Sequence, residues 1–203
     1  NQNNVCMPYK KYTSLRLEEY DYSKPGEYFV TICAKNRASL FGIIENETML
    51  LNAAGEIAVK DIMDIPKHYD CVGIGENIVM PNHVHIVVYI YESIGVNQAD
   101  PKNSVRLQDI IGSYKAGVTR KAGLLPGLEK FAWQRYYFDH IVRNDHALEN
   151  ISGYIRMNPA RWMEDLENLE YMKSLKIKER EHKLKTLYKE LCVKNIKMAS
   201  GKP

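Results

Sequence analysis

Near the middle of the chain the sequence reads Val79-Met80-Pro81-Asn82-His83-Val84-His85-Ile86-Val87-Val88. The apolar, β-branched run after Pro81-Asn82 predicts a strand that follows a turn. Side chains two residues apart project from the same face of a strand, so we expect His83 and His85 to lie side by side. Paired neutral imidazoles suit divalent metal ions, although two unrelated, hydrogen-bonded histidines would give the same pattern.

The composition is that of an ordinary globular protein. The 203 residues suit one domain with an appendage, and 45% hydrophobic and 26% charged residues allow a sizeable core. The four cysteines form no Cys-x-x-Cys pair and no disulfide framework, so we expect reduced thiols and a cytoplasmic protein. No run approaches the roughly 18 apolar residues of a membrane span. The net charge of +3 is too small to identify a nucleic-acid partner.

Hydrophobic periodicity and turn signals predict alternating strands and helices. We expect strands over residues 28–33, 71–80, 83–91 and 131–142, and a short hairpin with Asn46-Glu47 at its tip. Helices are expected from Asn52 to Ile65, before Pro66, from Ser104 or Asn103 to Ala122, and from Asn144 or Asp145 to Asn158. This order predicts an α+β domain of ferredoxin-like type, an antiparallel sheet with helices on one face.

The sequence changes character after Trp162, where lysines become frequent. Leucines recur among them, which predicts an amphipathic basic helix. We therefore expect one domain over residues 1–165 and a charged helical extension over residues 166–203. The extension either packs on the domain or adds a nucleic-acid contact, and a merely solvated helix face explains the same pattern.

The predicted helix that ends near Asn158 carries a second set of candidate residues. Tyr154 and Asn158 are four residues apart, so they lie about 40° apart around the helix axis, one above the other. If this turn faces His83 and His85, Asn158 can be a third metal ligand and Tyr154 a nucleophile beside the metal. A tyrosine packed on the core and an asparagine at the helix end would give the same pattern.

These motifs resemble one known family. His83-Val84-His85 after Met80-Pro81-Asn82 resembles the HUH motif of the single-tyrosine transposases of the IS200/IS605 type, and still more that of the REP-associated tyrosine transposases. Residues 14–32, 133–144 and 154–159 also resemble that branch, so the resemblance covers about residues 8–165. Insertion-sequence enzymes typically carry Tyr-x-x-x-Gln, whereas this chain has Tyr-x-x-x-Asn, as the REP-associated branch does.

The resemblance implies metal-dependent cleavage and rejoining of single-stranded, hairpin-bearing DNA. Tyr154 would attack a phosphodiester and leave a 5′-phosphotyrosine and a free 3′-OH. His83, His85 and Asn158 would hold Mg²⁺ or Mn²⁺, which stabilises charge on the phosphate, and two imidazoles favour Mn²⁺. The relatives include homodimers and monomers, so we expect one of these states.

Basic and aromatic side chains are candidates for contacts with DNA. The candidates for phosphate contacts are Arg16, Arg106, Lys115, Arg120, Arg135, Arg143 and Arg156. Trp133, Tyr136 and Tyr137 are candidates for stacking on unpaired bases, and His140 for assisting the site. Solvated surface charges and buried aromatic side chains account for the same residues without DNA.

Two other functions fit the sequence. A domesticated nucleic-acid-binding module would keep the sheet and the basic helices without cleaving DNA. A hydrolase would use both histidines to activate water, with Tyr154 in a structural role. A covalent protein–DNA adduct separates transposase-like chemistry from both alternatives, because neither of them forms one.

Overall fold

The structure, a computed structural model, describes residues 21–92 and 105–191. The strands are β1 Gly26–Cys33, β2 Gly42–Glu45, β3 Thr48–Leu51, β4 Val72–Val79, β5 His83–Ile90 and β6 Phe138–Val142. The helices are α1 Ala53–His68, α2 Leu107–Ala122, α3 Asp145–Met157, α4 Leu169–Ser174 and α5 Ile177–Leu191. Within these residues no helix has the length and apolar character needed to cross a membrane.

Four strands form the main sheet in the order β4-β5-β1-β6, and each neighbouring pair is antiparallel. Strands β5 and β1 lie in the interior, so both of their edges are hydrogen-bonded. The pairing of β4 with β5 shifts register between Ile74 and Asn77. Strands β2 and β3 form a separate two-stranded hairpin with Asn46 and Glu47 at its tip, as predicted.

Helices pack against both faces of this sheet. Val84, Ile86 and Val88 of β5 lie in the large core with α1 and α2. Phe29 and Val87, at alternate positions, pack instead with α3 and with Leu191 at the end of α5. The α+β class and the antiparallel sheet are confirmed. We expected helices on one face of the sheet, and α1 and α2 do share one face. Helices α3 and α5 lie on the other face, where they pack on apolar side chains of β1 and β5.

The helix bounds follow from capping. The Asn52 side chain accepts hydrogen bonds from the amides of Ala54 and Gly55, so α1 begins where the sequence predicts. The expected end before Pro66 is wrong: α1 continues through Pro66 to His68, because a proline in the last turn removes only one amide donor. Asn144 caps α3 through the amide of Ala147. The proposed caps of α2, Asn103 and Ser104, lie outside the described residues.

The predicted strand over residues 131–142 is shorter than expected. Only Phe138–Val142 pairs with β1, and Trp133 forms an isolated bridge with Ala34. The backbone between them is held by a side chain: the Lys115 ammonium donates to the carbonyls of Gln134 and Arg135 at 2.8 and 3.1 Å. These two bonds satisfy backbone carbonyls that would otherwise accept hydrogen bonds from a neighbouring strand, so residues 134 and 135 do not need a sheet partner at these carbonyls.

Between α3 and residue 191 the chain forms a 3-10 turn and two helices instead of one long helix. A 3-10 turn at Trp162–Glu164 precedes α4, and the extended backbone at Leu175 separates α4 from α5. Leu166, Met172 and Leu184 form a small apolar cluster of their own. Leu187 and Leu191 connect α5 to the α3 side of the sheet. The limit between residues 165 and 166 stays a prediction.

Candidate functional site

His83 and His85 lie together on the face of β5 that α3 covers. Their Nε2 atoms are 3.0 Å apart, and their ring centroids are 4.5 Å apart. The side chains are 0% and 2% exposed, so both rings are fully buried. The strand therefore aims two imidazole nitrogens at one buried point, as the alternation of the sequence predicts.

The outer nitrogen of each ring is held by a neighbour. His83 Nδ1 is 2.9 Å from Oδ1 of Asn82, and His85 Nδ1 is 2.8 Å from Oγ1 of Thr31 on β1. The Asn82 amide nitrogen in turn donates to the carbonyls of Glu167 and Arg37 at 2.8 and 3.2 Å. Such outer partners fix the orientation of a ligating histidine ring.

Asn158 and Asp165 complete the cluster from the other side. Asn158, at the end of α3, is 1% exposed, and its Nδ2 donates to Asp165 Oδ2 at 2.8 Å. Its Oδ1 is buried and makes no hydrogen bond of ordinary geometry to any residue that the structure describes, although the Asn158 side chain lies close enough to His83 to act against the lowering of that ring's pKa. One nitrogen from each histidine and one Asp165 oxygen lie within 4.8 Å of one another. Two imidazoles, a carboxylate and an unsatisfied amide oxygen fit a divalent cation.

The sequence analysis missed Asp165. It lies seven residues after Asn158, in the loop that follows the Trp162–Glu164 turn. A single aspartate in a charged tract forms no periodic pattern. The local sequence therefore does not indicate that the Asp165 side chain lies close to His83.

Burial sets the protonation of this cluster. It lowers the pKa of His83, although Asp165 and Glu167 act in the opposite direction, and it lowers the pKa of His85 well below its ordinary value. Burial also raises the pKa of Asp165, against the influence of His83. The imidazoles are therefore neutral near pH 7, which is the form that binds metal ions.

A buried ion pair lies behind the histidines. Arg37 Nη2 and Nε contact Glu167 Oε2 at 2.6 and 2.8 Å, and the Cys33 thiol donates to the same oxygen at 3.1 Å. Burial opposes ionisation of Glu167, but Arg37 and His83 hold its pKa below the usual value. Because the Glu167 carbonyl also accepts from Asn82, this pair fixes the strand that carries His83.

Tyr154 lies beside the cluster within the same chain. Its ring centroid is 5.3 Å from that of His85 and 6.3 Å from that of Phe29, which it meets edge-on. Trp162 stacks over His83 at 6.2 Å. The last turns of α3 thus face the histidines, and Tyr154 and Asn158 both contact the site from that helix.

The basic candidates are distributed over several surfaces. Arg106 pairs with Asp109, Arg156 pairs with Glu76, Arg135 lies over the Tyr136 ring and Lys115 holds backbone carbonyls. Within the described residues, Arg120 and Arg143 form no ion pair, and Arg16 lies outside that range. The candidates Lys115 and Arg120 on α2, and Arg106 at its N-cap, are separated from the histidines by the sheet.

The aromatic candidates are also divided. Trp133 belongs to the core between the sheet and α2, and Tyr137 packs against that core. Tyr136 is 56% exposed, and the Arg135 guanidinium lies over its ring. His140 lies opposite Phe29 on β6, and burial lowers its pKa.

Comparison with known proteins gives a sequence relative and solved structures with a similar fold. No family model matches the chain. An uncharacterized protein of Haemophilus influenzae is 37% identical over 164 residues, which cover 75% of this chain and 90% of that protein. The structure of a REP-associated tyrosine transposase bound to a REP hairpin superposes with a TM-score of 0.51 at 22% identity, over 70% of this chain and 72% of the other. The chain therefore belongs to one family with the Haemophilus influenzae protein and has the fold of a REP-associated tyrosine transposase.

Proposed function

We propose that this protein is a DNA-nicking and joining enzyme of the tyrosine HUH class, with a transposase-like activity on single-stranded, hairpin-bearing DNA. The observation that carries the proposal is the position of Tyr154, whose ring lies 5.3 Å from that of His85 beside a cluster that fits a metal ion. The structural relative is bound to a hairpin, which supports hairpin DNA as the substrate.

Tyr154 is the proposed nucleophile. Its hydroxyl gives up its proton to solvent and Oη attacks the scissile phosphorus. The Oη–P bond forms, the P–O3′ bond breaks, and the leaving 3′ oxygen takes up a proton from solvent. Ionising a free tyrosine at pH 7 costs about 4 kcal/mol, because its pKa is near 10. A divalent cation held by His83, His85, Asn158 and Asp165 would stabilise charge that develops on the phosphate oxygens.

The covalent product is a 5′-phosphotyrosine. It keeps the energy of the phosphodiester, so the 3′-OH of a second strand can attack it and restore a DNA bond while Tyr154 regains its proton. Strand transfer thus needs no nucleotide cofactor. The two imidazoles favour Mn²⁺ over Mg²⁺.

DNA contacts come from the basic side chains identified in the sequence. Arg143 and Arg120 are the first candidates, because neither forms an ion pair within the described part of the chain. Arg120 is on the far side of the sheet from the histidines, so it would contact the hairpin away from the cleaved bond. We propose that the enzyme works in the cytoplasm as a monomer or homodimer, with residues 1–165 as the transposase-like domain.

The test is a denaturing gel of labelled single-stranded hairpin DNA incubated with the protein and Mn²⁺ or Mg²⁺. The proposal expects a metal-dependent covalent adduct that is lost in Tyr154→Phe and in His83→Ala. Tyr136→Phe is the matched control, since it removes an exposed hydroxyl outside the cluster, and it should form the adduct normally.

The two alternative functions predict different band patterns on the gel. Binding without an adduct on several hairpin substrates would support a nucleic-acid-binding module. Metal-dependent cleavage without an adduct, unchanged in Tyr154→Phe, would support a hydrolase in which the histidines activate water.

A further inference from the structure

We propose that Trp162 is a base-stacking residue: the outer side of its indole, which covers His83, binds an unpaired base of the DNA strand whose phosphate lies at the metal cluster. The inference rests on the proposed function. It adds a contact with a base, and this contact positions the strand beside Tyr154.

The indole lies directly over one of the candidate metal ligands. Its ring centroid is 6.2 Å from that of His83, and the two ring planes are inclined by only 28°. In the chain Trp162 stands four residues after Asn158 and three before Asp165, at the start of a 3-10 turn. The indole is therefore carried by the segment that completes the cluster.

The indole covers a buried ring but is only half-buried itself. His83 is 0% exposed, whereas part of the Trp162 side chain reaches the surface. The side of the indole that faces a ring without any exposure contributes none of this exposed area. The exposed part of the indole is therefore directed away from His83, toward the space outside the cluster.

The aromatic side chains that the sequence analysis identified as candidates for stacking do not lie at the cluster. Trp133 belongs to the core on the other face of the sheet, where its indole donates to the Lys115 carbonyl at 3.1 Å. Tyr137 packs against the same core, and the Arg135 guanidinium lies over the Tyr136 ring. Trp162, the second of two tryptophans in the chain, is the one beside the histidines.

A stacking residue at this place suits a single strand. Every unpaired base has an exposed π face, and an aromatic side chain covers that face with little preference for sequence. In a duplex the neighbouring bases already cover these faces, so the indole selects unpaired nucleotides. A base held on Trp162 limits where the adjoining phosphate can lie, and that phosphate is the group that Tyr154 has to reach.

The fluorescence of Trp162 measures the stack directly, because a base stacked on an indole quenches its emission. The probe is a DNA hairpin with unpaired adenines on both sides of its stem. It is added in Mg²⁺ to protein that carries Tyr154→Phe, so that no adduct forms. We expect the emission to fall when the DNA binds, and to stay constant when Trp162→Leu is added, since Trp133 lies on the far face of the sheet.

A series of abasic hairpins locates the stacked base. Each hairpin lacks the base at one flanking position, and we expect the quenching to be lost at one position and retained at the others. Emission that does not change on DNA binding, or quenching that no abasic position reduces, would overturn the inference. This series uses the native tryptophan, so it decides the question even if Trp162→Leu does not fold.

Substitution of Trp162 gives a second measurement. By fluorescence anisotropy with a labelled hairpin, Trp162→Leu is expected to bind about tenfold more weakly, the loss expected for one stacked base. Trp162→Phe keeps an aromatic face and should retain most of the affinity. Mn²⁺ affinity by calorimetry should be the same in both variants, because leucine and phenylalanine still cover His83. Loss of Mn²⁺ affinity with unchanged DNA affinity would show that Trp162 only covers the histidine.

These experiments separate the inference from the proposed function. If the hairpin quenches Trp162 and the unchanged protein forms no adduct, the enzyme proposal fails while the stacking role remains. If the adduct forms and the emission does not change, the inference fails alone. A protein that binds none of several hairpins would contradict both.

Discussion

Asn158 donates a hydrogen bond from its Nδ2 to Oδ2 of Asp165 at 2.8 Å, which joins the end of α3 to the loop that follows it. The bond uses the amide nitrogen of Asn158, so the amide oxygen stays available to a cation beside Asp165. The helix that carries Tyr154 is thereby tied to a candidate metal ligand outside the helix.

Asp165→Asn is expected to weaken Mn²⁺ binding at least tenfold, because a neutral amide replaces the only carboxylate among the cluster's candidate ligands. Calorimetric titration with Mn²⁺ measures this change. Glu164→Gln is the matched control, since it removes a neighbouring, exposed acid and should leave the affinity unchanged. Equal affinities of Asp165→Asn and the unchanged protein would exclude Asp165 as a ligand.

Glu167→Gln is expected to lower the free energy of unfolding by about 3 kcal/mol, because it leaves the buried Arg37 guanidinium without this carboxylate. Urea denaturation of the metal-free protein measures the change. Glu164→Gln should shift the free energy by less than about 0.5 kcal/mol, as exposed substitutions do. A loss below about 1 kcal/mol for Glu167→Gln would show that the pair contributes little to the fold.

The metal-free protein is expected to lose stability as the pH falls below about 6.5, the ordinary pKa of histidine. Burial lowers the pKa of His83 and His85 in the folded state, so the unfolded chain binds protons first and is favoured at acid pH. Each ring contributes up to about 1.4 kcal/mol per pH unit.

Thermal denaturation in the presence of a chelator at pH 7.5 and 5.5 tests this dependence on the histidines. His85→Asn should reduce the difference between the two pH values, and His182→Asn, which changes an exposed histidine, should not. If His85→Asn and the unchanged protein lose the same stability between pH 7.5 and 5.5, groups other than His85 cause the loss.

Arg120→Ala is expected to reduce the salt dependence of hairpin binding by about one unit of slope, because one phosphate contact is lost. Lys115→Met should keep that slope and lower stability by about 1 kcal/mol instead, since Lys115 donates to backbone carbonyls. Fluorescence anisotropy over a range of salt concentrations measures the slope. An unchanged slope in Arg120→Ala would show that Arg120 does not contact a DNA phosphate.

Local patterns in the sequence predict much of the fold. Alternation in β5 places His83 and His85 on one face, and the side chains of Asn52 and Asn144 mark where α1 and α3 begin. The spacing of Tyr154 and Asn158 is a property of any helix, so their relation to each other is predicted as well.

The remaining features depend on contacts between distant parts of the chain. Glu167 meets Arg37 and Cys33, which are 130 and 134 residues away in sequence, and no local pattern indicates such a pairing. The error at residues 131–137 also depends on a distant contact. A lysine on α2 satisfies backbone carbonyls that propensity alone would assign to a strand.

The interior position of β5 has a consequence for how the site can open. Both neighbours of β5 hold its backbone along nearly its whole length, so its amides should be among the last to exchange with deuterium. The two histidines therefore belong to the part of the protein that opens only when the whole domain unfolds. Tyr154, Asn158 and Asp165 lie on a helix and a loop outside the sheet, so any rearrangement that admits a DNA strand has to come from their side.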